Sequence, residues 1–126
     1  MEENQFSTNY LLQVSRLVGE IQHLSTLVTL LTDMKSEVEY SSNVNKFSFV
    51  FAPTEEVFKK RFLAVPPDRL IEVEFYVKHD YPGENYIIKE LFKVKRFLKD
   101  ALRNKGVDYG KLDYTTEMIE YTKYII

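Results

Sequence analysis

The first third of the chain carries an apolar repeat that steps alternately by three and four residues: Val14, Leu17, Ile21, Leu24, Val28 and Leu31. An α-helix gathers residues so spaced onto one stripe, so this segment reads as a helix with a seam to bury. With Val14 at heptad position a, the a positions are Val14, Ile21 and Val28, and the d positions are Leu17, Leu24 and Leu31. β-Branched residues at a with leucine at d pack best in a parallel two-stranded coiled coil. These residues are therefore the expected dimer interface of a homodimer. The competing reading is an amphipathic helix folded over its own sheet. Tyr10, Leu11, Val18, Leu27 and Leu30 widen the stripe beyond the narrow seam of a coiled coil, which implies that the helix also touches the rest of its own chain. Leu11, Val18 and Leu27 take e and g positions that usually carry charge, which leaves a higher oligomer or an antiparallel pairing open. Gly19 falls on the outer face, at a cost of about 1 kcal/mol relative to alanine. Ser7 or Thr8 caps the start, and the helix is expected to run to Lys35 or Glu37.

The remainder alternates between strand and helix periods. Phe47, Phe49 and Phe51 are separated by smaller residues, the period of a strand with one aromatic face. Glu37 to Tyr40 is a short partner strand or a last helical turn. Residues 54–64 are ambiguous: Thr54-Glu55-Glu56 reads as a helix start, whereas Phe58 to Val65 also fits an irregular strand, and Pro66-Pro67 ends either one. Leu70 to Lys78 is the clearest strand, with Ile71, Val73, Phe75 and Val77 on one face and Glu72, Glu74, Tyr76 and Lys78 on the other. Tyr81-Pro82-Gly83 is a turn. A second helix runs from Glu84 to Asn104 with Gly106 as its stop, and Ile87, Leu91, Val94, Leu98, Ala101 and Leu102 form its stripe. For Lys111 to Ile126 a helix is favoured over a strand.

The expected fold class is α+β: a long N-terminal amphipathic, coiled-coil-like helix, a small antiparallel sheet of two to four strands, and one or two C-terminal helices packed on that sheet. Residues 1–40 would be the dimerisation helix and 41–126 a small α+β domain, the whole forming a single structural unit.

Chemistry narrows the function classes. The chain has no cysteine, which removes disulfides, thiolate catalysis and thiolate zinc sites. A net charge of -2 gives no global attraction to nucleic acid or to an anionic membrane. No basic stretch precedes an apolar run at the N-terminus, and no apolar run reaches membrane length, so a cytoplasmic protein without membrane contact is expected. Lys89, Lys93, Arg96 and Arg103 share one face of the second helix, Lys95 and Lys99 extend it sideways, and Phe92 lies at its edge. That face is a candidate partner-binding patch for phosphates or for an acidic protein, against the simpler reading of a solvated helix face. His79-Asp80 has the composition of an acid–base pair, but adjacency in sequence is not convergence in space. The alternating phenylalanines lack interleaved bases and are expected to be buried. No phosphate-cradling glycine motif, nucleophile elbow or helical pair of histidines occurs, so no enzyme activity, cofactor or metal is expected. The reading is a non-enzymatic interaction, adaptor or scaffold module that homodimerises and serves in a larger assembly. The alternative is a small nucleic-acid-binding dimer that uses the basic helix face.

Tyr81-Pro82 after a strand, in a chain ordered as coiled coil, strands and then helices, resembles the Tyr-Pro turn of RWD domains in coiled-coil scaffolds of the kinetochore type. Tyr86 stands where that motif carries its second proline. The resemblance implies the same α+β plan and a scaffold role.

Overall fold

The computed structural model describes residues 6–63, 69–79 and 81–107; Pro66-Pro67, Asp80 and the segment 111–126 lie outside them. Helix α1 spans Thr8–Leu31, and the Ser7 hydroxyl caps it by accepting the Tyr10 amide at 3.1 Å. The helix stops before the expected Lys35. The Thr32 hydroxyl donates to the Val28 carbonyl at 2.6 Å and accepts the Met34 amide at 3.0 Å, which turns the chain into a strand. Strands β1 (Lys35–Ser41), β2 (Lys46–Ala52) and β3 (Ile71–Tyr76) form an antiparallel sheet in that order. A short helix α2, Glu55–Lys59, follows β2, so the ambiguous segment begins as a helix capped by Thr54. Helix α3 spans Glu84–Asn104 after a turn with a cis Tyr81–Pro82 peptide and Gly83 at φ 102°, a backbone region open to glycine. Helix, sheet and helix make an α+β fold.

The register sets Tyr40, Phe47 and Phe75 in one row across the three strands, Val38, Phe49 and Val73 in the next, and Ser36, Phe51 and Ile71 in a third. This face receives the helices. Phe47, Phe49 and Phe51 are buried, and Phe97 of α3 meets Phe51 edge-on at 4.8 Å and Phe49 at 6.3 Å. Such edge-to-face contacts stabilise by about 0.5–1.5 kcal/mol beyond burial. Glu37, Glu39, Glu72 and Glu74 point to the other face, where Arg61 reaches Glu37 at 3.8 Å. At the edge of the sheet, the Thr29 hydroxyl of α1 accepts the Ser36 amide and donates to the Ser36 carbonyl, each at 3.3 Å. The helix thereby occupies backbone groups that an edge strand otherwise offers to another chain.

Helices α1 and α3 run parallel. Ser7 meets Glu84 at their starts, Glu20 meets Lys95 at 2.7 Å midway, and Asp33 meets Lys105 at 3.1 Å at their ends. The apolar stripe of α3 steps through Ile87, Leu91, Val94 and Leu98 by four, three and four residues, the same cadence as α1. Val14, Leu17, Ile21, Leu24 and Val28 are at most 5% exposed and belong to one core with Ile87, Leu91, Val94, Leu98 and Leu102.

This burial bears on the expected dimer interface, because the single chain already covers all of its residues but Leu31. The heptad does have a parallel helical partner, but that partner is α3 of the same chain. A residue with no exposed surface has none left to give to a second copy, and Leu31 alone of the set stays exposed, at 49%. Leu11, Val18 and Leu27, which widen the stripe, pack on the margin of this core.

Candidate functional site

Helix α3 is amphipathic around its whole circumference. Its core stripe fixes the rotation of the helix, so the residues half a turn away must face water. Lys89, Phe92, Lys93, Arg96 and Arg103 are exposed there, and Lys99 is half-buried. The structure thus brings all of the sequence-predicted patch onto one surface. Phe92 retains 43% of its surface, a large value for an aromatic ring on a helix that buries five other apolar side chains.

The charges on this face are not equivalent. Lys93 lies 3.2 Å from Glu90 and Arg103 lies 2.9 Å from Asp100, both within the helix. Exposed pairs of this kind contribute about 0.2–0.5 kcal/mol and hold their partners loosely. Lys95 points aside: its ammonium reaches Glu20 of α1 and lies 5.9 Å over the Phe92 ring. It ties the two helices together rather than presenting charge to solvent. Lys89 and Arg96 make no ion pair among the described residues and carry the least compensated charge of the face. Phe92, Lys95, Arg96, Lys99, Asp100 and Arg103 line a shallow groove of about 400 Å³. The groove offers guanidinium and ammonium donors around one exposed ring. Such a surface binds carboxylates or phosphates and shields an apolar side chain beside them.

The other candidates are dispersed. His79 is exposed and stacks on Tyr76 at 4.7 Å and 11°, while Asp80 lies outside the described residues. His23 is half-buried on α1. Among the described residues no group of three or more His, Cys, Asp or Glu side chains is placed to hold a metal ion. No helix among them is long and apolar enough to cross a membrane. The sequence reading missed that Lys95 faces α1. Its position a quarter turn from Arg96, toward the core stripe, was the available signal.

Comparison of the chain with protein-family models, with curated proteins and with solved structures gives no match.

Proposed function

We propose that this chain is a non-enzymatic interaction module whose docking surface is the exposed face of α3. The observation that carries the reading is the groove in which Phe92 stands exposed among Lys95, Arg96, Lys99 and Arg103. An exposed aromatic ring beside arginine is the composition of interface anchors, where a few such residues supply most of the binding energy. Glu90 and Asp100 are interleaved with the cations and already pair with two of them. Interleaved carboxylates repel a continuous phosphate backbone, which favours an acidic protein surface over nucleic acid as the partner. Association through the a/d stripe of α1 is not part of the reading, because the core of the single chain uses that stripe.

The test is affinity capture from cells with the wild-type chain and with the double variant Lys89→Glu, Arg96→Glu, followed by reconstitution with each purified candidate. A partner whose binding is lost in the variant and weakens with salt supports the reading. Equal binding by both chains rejects this face as the docking surface.

A further inference from the structure

The two edges of the sheet differ. Edge strand β1 lies beside α1, where the Thr29 hydroxyl occupies the Ser36 amide and carbonyl. Edge strand β3 has no such cover: among the described residues its outward backbone groups bond to no helix, turn or side chain. An uncovered edge is a template for one more strand.

The phase of the ladder identifies the open groups. The Val77 amide donates to the Asn45 carbonyl at 2.8 Å, next to the Lys46–Tyr76 pair. Bonded and non-bonded pairs alternate in an antiparallel ladder, so Phe47–Phe75 and Phe49–Val73 are bonded pairs. Glu72, Glu74 and Tyr76 fall in the non-bonded pairs, and their amides and carbonyls point away from β2.

The side chains select what fits there. Glu72 and Glu74 are exposed on the face away from the helices. Glu74 pairs with Lys46 at 3.2 Å, and Glu72 makes no ion pair among the described residues. On the helix-facing side Val73 and Phe75 are only partly buried and Ile71 is 37% exposed, whereas Phe47, Phe49 and Phe51 of β2 are buried. An added strand therefore meets carboxylates on one face and open apolar surface on the other. A second copy of β3 is a poor occupant. With all three outward residues overlapped antiparallel, Glu74 stands opposite Glu74, and like charges so placed destabilise a pair.

We propose that the outer edge of β3 accepts, antiparallel, an extended segment of another protein in which basic residues alternate with apolar ones. The basic side chains lie over Glu72 and Glu74, the apolar ones extend the row of Val73 and Phe75, and the open backbone groups complete the ladder. In strand addition the backbone bonds give affinity and the alternate side chains give specificity. This edge is separate from the α3 face and does not depend on its role.

The test follows amide hydrogen exchange by NMR in the full chain. In the free protein the amides of Glu72, Glu74 and Tyr76 should exchange faster than those of Val73, Phe75 and Val77. A short capped peptide alternating lysine with valine should slow exchange at Glu72, Glu74 and Tyr76. The residues of an antiparallel strand that bond to β3 are those opposite Glu72 and Glu74, here the lysines. N-methylation of the peptide at its lysines should therefore abolish the effect, and N-methylation at its valines should leave it. Glu72→Lys with Glu74→Lys should weaken binding about tenfold and shift the preference to a peptide alternating glutamate with valine. Slow exchange of Glu72 and Glu74 in the free chain overturns the proposal, since the edge would already be paired. Equal binding of the two N-methylated peptides, equal binding of lysine and glutamate peptides by the wild type, or no protection of the edge also overturns it. None of these readouts involves α3, so failure here and failure of the docking reading are separable.

Discussion

The backbone amide of Ser7 donates to the Glu84 carboxylate at 2.9 Å, which sets the first turns of α1 and α3 side by side. The Ser7 hydroxyl donates weakly to the same carboxylate at 3.4 Å while it accepts the Tyr10 amide. Helix α1 has no acid in its own first turn, so Glu84 supplies negative charge to its N-terminus from another element. Ser7→Ala should lower stability by about 1 kcal/mol, the usual cost of a lost N-cap. Because the two side chains share one network, adding Glu84→Gln should cost less than the sum of the single changes. Urea unfolding of the two single variants and the double variant measures both claims, and strict additivity would contradict the network.

The core position of Ile21 separates an intrachain seam from an intermolecular one. Ile21 has no exposed surface in the single chain. Ile21→Ala should therefore cost about 2–5 kcal/mol of folding stability, as large-to-small core changes do. Ile21→Asp with Leu24→Asp should unfold the chain rather than release folded monomers, since both carboxylates would be buried without partners. Circular dichroism together with mass in solution distinguishes the outcomes. A folded monomer derived from a wild-type dimer would return the heptad to a dimer interface.

Gly19 offers a change of opposite sign. It is exposed in the middle of α1, and a Cβ placed there has nothing within 4 Å. Gly19→Ala should raise stability by about 0.5–1 kcal/mol by removing conformational freedom from the unfolded chain. An unchanged or lowered denaturation midpoint would show that something occupies that face in solution.

Periodicity made most of this fold legible and left the pairing of its elements unstated. The bounds of α3 and the Phe47–Phe49–Phe51 strand could be read directly, because each sets long apolar runs against a sharp period. The a and d residues of α1 even encoded a parallel helical partner. What periodicity does not encode is whose helix that partner is, and Ile87, Leu91, Val94 and Leu98 carry the same cadence within the same chain. Strand β1 was harder to recognise, because its inward residues are Ser36, Val38 and Tyr40 and one of these is polar. Ser36 tolerates that position because its hydroxyl lies 2.6 Å from the Ser25 hydroxyl of α1, a long-range contact with no signature in local sequence. The basic face of α3 was legible as a stripe of residues. Which of its cations pair within the helix, and that Lys95 turns to Glu20 far away in the chain, depends on rotamers.

Tyr10 links the start of α1 to the end of β3 and gives the fold an alkaline limit. Its hydroxyl donates to the Val77 carbonyl at 2.8 Å. Burial, and then the nearby Glu84 carboxylate and Tyr40, push its phenol up to about 12. In the unfolded chain the phenol ionises near its ordinary value of about 10. Between these values the unfolded state gives up a proton that the folded state keeps, so rising pH favours unfolding. The contribution of Tyr10 to stability is thus complete below about pH 10 and is lost as pH climbs toward the folded value. Tyr10→Phe should cost about 1 kcal/mol at neutral pH through the missing hydrogen bond. It should also remove this one titration while leaving those of the other tyrosines. The gap in stability between wild type and variant should therefore narrow steadily through the alkaline range. Parallel stability curves for the two chains would show that Tyr10 ionises alike in both states, and that burial at this helix–strand junction does not hold its proton.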